Sequence, residues 1–195
     1  VSNDADISRR DFVRGRLLRT VRAMAGVPTP PPAPQRAAWV PLPIRRPPGA
    51  VPEARFLAEC TRCNACIQAC PVGAITVAPM RFRHAAGTPM IDQATAACVM
   101  CPDTPCISAC EPGVLRKDRP LKMGTAWVDR SNCLAHRGTL CTTCSERCPV
   151  PGALRVDGGK PAIQDATCTG CGVCAQVCPA PINAIAILPL PDRPA

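Results

Sequence analysis

The chain has 195 residues, sixteen of them cysteine and 25 proline, with three phenylalanines, two tryptophans and no tyrosine. So few large apolar side chains exclude a conventional core, and small domains of this kind need covalent or metal staples. The formal charge of +9 does not mark a nucleic-acid platform: residues 1–56 hold ten Arg against four acids, the remainder only thirteen Lys/Arg against ten, and there are almost no aromatics on which bases could stack.

Ser8-Arg9-Arg10-Asp11-Phe12-Val13-Arg14 looks at first like a twin-arginine export signal. Such a signal needs an apolar stretch of about 7–15 residues after the arginines, and Arg14, Arg16, Arg19 and Arg22 interrupt every candidate. A helix start explains the residues better. Ser8 suits an N-cap, Asp11 completes a capping-box-like pair, and Ile7 can staple onto Phe12. Phe12, Val13, Leu17, Leu18 and Val21 then recur at helical spacing among arginines. The expectation for residues 1–26 is a basic amphipathic helix that docks on a protein partner or a membrane surface. That reading implies a cytoplasmic, membrane-peripheral protein; the alternative is a periplasmic one, exported by the twin-arginine route or beside a signal-bearing partner.

Residues 27–52 carry ten prolines, including Pro30-Pro31-Pro32 and Pro47-Pro48. This is a polyproline-II linker or an extended strap across the body, with Trp39 and Ile44 as candidate anchors. From residue 53 the chain becomes repetitive. Two modules, 53–122 and 123–195, each contain two groups of four cysteines. Cys60-x2-Cys63-x2-Cys66-x3-Cys70-Pro71 opens the series and Cys168-x2-Cys171-x2-Cys174-x3-Cys178-Pro179 closes it. Between them stand Cys98-x2-Cys101-x4-Cys106-x3-Cys110 and Cys133-x7-Cys141-x2-Cys144-x3-Cys148-Pro149. No cysteine is left over.

The segments between quartets repeat a short-strand pattern. Ala153–Val156, an Asp157-Gly158-Gly159 turn and Pro161–Ile163 form the clearest hairpin. Ile75–Val77 with Met90–Asp92, and Val114-Leu115 with Ala126–Asp129, read as two further hairpins, and Ile185–Leu188 as a last strand. No run of eighteen apolar residues occurs, so a transmembrane segment is not expected.

The two outer strings are the ligand set of a bacterial-type [4Fe–4S] centre. Two-residue gaps let one loop aim three sulfurs at a compact core, and the fourth cysteine, one helical turn later, leaves that loop on a short helix. Proline after it turns the chain away. Disulfides would close many cramped two-residue loops, and zinc favours Cys-x2-Cys pairs brought together across longer gaps. All sixteen cysteines are therefore candidate ligands, and four [4Fe–4S] clusters the expected cofactors. Cys133 is the most distant from its group; His136, within that gap, is expected to be exposed rather than ligating. With about −2 per loaded site, the net charge falls to about +1.

On these residues the chain resembles the polyferredoxins associated with periplasmic nitrate reduction and methylamine oxidation, the NapF, NapG and MauM types. Ser8 to Arg16 looks NapF-like. Arg46-Pro47-Pro48-Gly49-Ala50, the spacing of Cys98–Cys110, and Met123-Gly124 before Trp127 look like NapG and MauM. Glu111 between Cys110 and Pro112 departs from that pattern. The resemblance implies an α+β fold of two tandem bacterial-type 2[4Fe–4S] ferredoxin modules behind a basic helix and a Pro-rich strap. It implies either a carrier passing single electrons between redox protein partners or a NapF-like maturation factor acting on a client enzyme. No base–nucleophile constellation suggests catalysis. Wiring stays open: neighbouring quartets can exchange their fourth cysteines, or the first can pair with the fourth and the second with the third.

Overall fold

Residues 44–51 form an extended strap that is buried along its length. It belongs to a computed structural model that describes residues 43–190. The basic helix expected over 1–26, Trp39, and most of the 27–52 linker lie outside the described residues. Arg46 explains why the strap lies down. Its side chain is fully buried, bonded through Nε and Nη2 to the Glu53 carboxylate and through Nη1 to Thr88 Oγ1 (2.6 Å) and the Pro89 carbonyl (2.8 Å). The guanidinium lies 4.3 Å from the centroid of the Phe56 ring. Breaking a buried ion pair by removing one partner costs about 3–5 kcal/mol. Glu53 is one-third exposed, so Arg46→Ala is expected at the lower end, a fall in melting temperature of roughly 10 °C by calorimetry.

After the strap come helix α1, Glu53–Glu59, and four one-turn helices: α2 Ala65–Gln68, α3 Pro105–Ser108, α4 Thr143–Glu146 and α5 Val173–Gln176. Each one-turn helix carries the third cysteine of a quartet and delivers the fourth just beyond its end. A 3-10 segment, Met80–Ala85, and six strands complete the described fold: β1 Ile75–Val77, β2 Pro89–Ile91, β3 Gly124–Val128, β4 Leu154–Asp157, β5 Lys160–Ile163 and β6 Ile185–Pro189. The pairs are β1–β2, β4–β5 and β3–β6, all antiparallel.

Two of the expected hairpins are present, with Ile75 opposite Ile91 and Leu154 opposite Ile163. The third is not. Leu115 bridges Ala50 of the strap, the Val51 N–H donates to the Val114 carbonyl (3.0 Å) and the Arg116 N–H to the Gly49 carbonyl (2.8 Å). Ala126–Val128 pairs instead with Ile185–Ile187. Each half thus closes its first extended segment on its last, around an inner hairpin. A hairpin between Val114-Leu115 and Ala126–Val128 would have taken the closing strand from both halves. The strap residues Gly49–Val51 therefore do in the first half what β3 does in the second.

The halves are joined within one compact unit that holds all the described residues. The Met123 N–H donates to the Thr169 carbonyl (2.7 Å), the Cys98 N–H to the Cys171 carbonyl (3.1 Å), and the Ala97 N–H to Gln176 Oε1 (3.1 Å). Apolar cores are small. Phe56, Ile75, Ile91, Ile107, Leu115 and Met123 dominate the first half, and Leu154, Ile185 and Ile187 the second. Cysteines sit in both. Ile44 is buried in a third cluster with Phe82 and Met90, which accounts for the seating of the strap.

Candidate metal centres

Four cavities, each lined by four cysteines, organise the described residues. Site A collects Cys60, Cys63, Cys66 and Cys110; site B collects Cys98, Cys101, Cys106 and Cys70. Site C collects Cys168, Cys171, Cys174 and Cys148; site D collects Cys133, Cys141, Cys144 and Cys178. Three cysteines of each site come from one quartet and the fourth from its sequence neighbour. The packing of α2 on α3 and of α4 on α5 produces this exchange. The nested alternative, first quartet with fourth, is not the arrangement found.

The loops reach this geometry through left-handed backbone. Arg62 and Asn64 have φ of 57° and 63°, Met100 and Thr104 of 56° and 46°. Such residues cost about 1–2 kcal/mol each when they are not glycine. The fourth quartet meets the same demand with Gly170. In the third, seven residues separate Cys133 from Cys141, and Thr142 has an ordinary negative φ of −122°. The longer loop does there what left-handed turns do elsewhere. Cys133 is buried and lines site D. His136 does not line the site; it is half-buried, and its Nδ1 has no hydrogen-bond partner. The sequence suggested a more exposed ring.

Electrostatics show what these thiols need. Burial first, then the neighbouring thiols Cys110, Cys60, Cys63 and Cys106, push Cys66 up to about 12. Cys174 is likewise pushed to about 12 by burial and by Cys171, Cys168 and Cys144. Cys106 and Cys144 rise to about 11 by burial and by thiols of their own sites. Four thiolates in one such cavity are stable only with cationic metal among them. Backbone N–H groups assist: Ala65 donates to Cys63 and, with Thr61, lowers its pKa, while Met100 donates to Cys98 and Val173 to Cys171. The Ala74 N–H lies 3.3 Å from Cys70 Sγ and the Ala126 N–H 3.5 Å from Cys168 Sγ.

The sixteen cysteines form no disulfide. Among the described residues no three His, Cys, Asp or Glu side chains converge closely enough to hold a single ion. The all-sulfur donors and inward N–H groups of the quartets fit a polynuclear iron–sulfur core.

Comparison with known proteins agrees with this geometry. A 4Fe-4S dicluster domain family matches residues 59–114, and a second 4Fe-4S dicluster domain family matches 125–179. The methylamine utilization ferredoxin-type protein MauM of Paracoccus denitrificans is 39% identical over 158 residues, 74% of this chain and 70% of the relative. The ferredoxin-type protein NapG of Escherichia coli is 35% identical over 199 residues, 93% of this chain and 86% of the relative. The chain belongs to the ferredoxin-type NapG/MauM/NapF family. NapF of Escherichia coli is a more distant member, 30% identical over 138 residues. This ferredoxin-type protein therefore has two tandem 4Fe-4S dicluster domains built of short helices and strands, and it carries four [4Fe–4S] clusters. No helix among the described residues is long and apolar enough to cross a membrane.

Two functionally placed residues escape a sequence reading. Arg45 and Arg46 stand between prolines and look like linker charge, yet both are buried. Only their position directly before Pro47-Pro48-Gly49 set them apart.

Proposed function

We propose that the protein relays single electrons between two redox protein partners through the four sites in the order A, B, C, D. All sixteen cysteines act as ligands in the groups that share a cavity. The observation that carries this reading is the contact between the inner sites, where the Cys98 N–H meets the Cys171 carbonyl at 3.1 Å. Within each half the sites also adjoin: Cys106 of site B acts on Cys66 of site A, and Cys144 of site D on Cys174 of site C. The path therefore runs first, second, fourth, third quartet.

When bound, the clusters supply one-electron chemistry at iron. The chain's own residues hold the thiolates, direct N–H groups at sulfur, and shield site C from water. Cys168, Cys171 and Cys174 of site C are all buried, whereas Cys63 of site A is exposed. Site D is flanked by Leu140, 90% exposed, and Ile182, 66% exposed. Sites A and D are thus the entry and exit points. Residues 1–26 would dock the chain to a partner or a membrane surface, and comparing co-purifying proteins with and without that segment tests the assignment.

The ligand groups have a direct test. Cys70→Ala should remove the same electron paramagnetic resonance signal as Cys101→Ala, while Cys110→Ala removes the one lost in Cys63→Ala, each variant retaining about twelve of sixteen irons. Loss of a second-half signal on removing Cys70 would refute the grouping. Anaerobic reductive titration then separates a carrier, with four reversible one-electron steps, from a maturation factor whose clusters pass stoichiometrically to an apo-client.

A further inference from the structure

Arg45 lies beside cysteines of both inner sites, and the relay reading gives it no task. It is 5% exposed. Its Nη1 donates to Gln93 Oε1 (3.2 Å), while Nη2 is buried and has no partner in protein. A Cβ at Gly172, between Cys171 and Cys174, would stand 3.2 Å from Nη1, so the guanidinium lies close against that loop. Burial works against its charge; Cys171, Asp92, Cys98 and Cys174 favour it. Those three cysteines belong to sites C and B. The Arg45 carbonyl is itself held by the Ile91 N–H at 2.8 Å, so the residue is anchored through backbone as well as side chain.

A guanidinium left with an unsatisfied, dry N–H₂ group is costly unless an anion stands beside it. Two loaded sites of about −2 each, facing one another across this boundary, are such anions. We propose that Arg45 is a potential-setting residue: its buried positive charge, shared between sites B and C, favours the reduced state of both inner clusters over that of the outer pair. The inference rests on the relay reading and gives it a direction, with electrons held more readily in the middle of the path than at its ends. Few charges compete. Asp92, half-buried with Oδ1 accepting the Ala94 N–H, is the opposing carboxylate.

Potentiometric titration of the full-length holoprotein, followed by electron paramagnetic resonance, tests it. Four midpoints in the wild type are the precondition set by the relay reading, so failure there is distinguishable from failure here. In Arg45→Gln and Arg45→Met, two of the four midpoints should fall enough to lower the reduced-to-oxidised ratio at least tenfold at fixed ambient potential, about 59 mV for one electron. The other two should move much less. Arg45→Lys, which keeps the charge, should restore most of the shift. Arg116→Gln, at an exposed arginine paired with Asp118, should leave all four unchanged. Four unmoved midpoints in fully loaded neutral variants would overturn the proposal. So would an Arg45→Lys variant as displaced as the neutral ones, or loss of iron from both neutral variants, which would make Arg45 an assembly residue.

Discussion

Chelation of iron from the anaerobically purified protein is expected to unfold both halves together, with loss of near-UV dichroism and of amide-exchange protection. Apolar packing here is sparse: Phe56 and Phe82 are the buried aromatics among the described residues, and Trp127 is 53% exposed. The cores are completed by cysteines that line the four sites. Emptied, those cavities must collapse or flood. The apo-thiols add a further penalty as pH rises, because Cys66 and Cys174, pushed up to about 12, resist ionisation in the fold more than in the open chain. Their contribution is intact below about pH 9 and lost as pH climbs towards 12. One structural zinc site is worth on the order of 10 kcal/mol, comparable to the whole stability of an ordinary domain at about 5–15 kcal/mol. Four polynuclear sites exceed that. An iron-free preparation with native near-UV dichroism at neutral pH would show that the apolar clusters suffice and that this account of the fold is wrong.

Gly170→Ala is expected to be the most damaging single methyl group in the second half. The added carbon would stand 2.4 Å from the carbonyl carbon of Gly124 and 2.6 Å from its Cα and N, all backbone. Gly124 has nowhere to retreat, since its own Cβ position is 2.4 Å from the Leu188 carbonyl oxygen across the β3–β6 pair. Gly170 also has a φ of +68°, a conformation that costs alanine about 1–2 kcal/mol. Overpacking adds about 1–3 kcal/mol. The loop holding Cys168 and Cys171 must shift, and site C with it. Loss of about four of sixteen irons should accompany a destabilisation of about 2–5 kcal/mol. Gly152→Ala is the control: φ is +74° but nothing lies within 4 Å, so only the conformational cost applies. Equal effects of the two substitutions on iron content would show that steric closure at Gly124 is unimportant.

The cysteine pattern was legible because it is local. A Cys-x2-Cys-x2-Cys-x3-Cys string dictates a tight loop and a one-turn helix whatever surrounds it, and the composition leaves little else to fold around. The same holds for the β1–β2 and β4–β5 hairpins, where both strands and their turn lie within a short stretch. Val114-Leu115 failed as a hairpin partner for Ala126–Val128 because strand pairing is not decided locally. Two segments of suitable composition were adjacent in sequence, but each had a better partner further away, Gly49–Val51 for one and Ile185–Ile187 for the other. Arg45 and Arg46 were opaque for a related reason. A charged pair among prolines is ordinarily solvated, and only burial beside Glu53, Thr88, Gln93 and the inner sites gives these two different tasks.

Sequence alone determined the family, the two dicluster domains and the four [4Fe–4S] clusters, since thiolate spacing is a short-range chemical constraint written into consecutive residues. Tertiary structure decided which quartets exchange their fourth cysteine, that sites B and C meet, and that the strap supplies a strand and a buried cation. Those features depend on contacts between residues far apart in the chain, such as Cys98 with Cys171 and Arg45 with Gln93. Spacing along the chain carries no record of them, because they arise from how finished loops pack against one another.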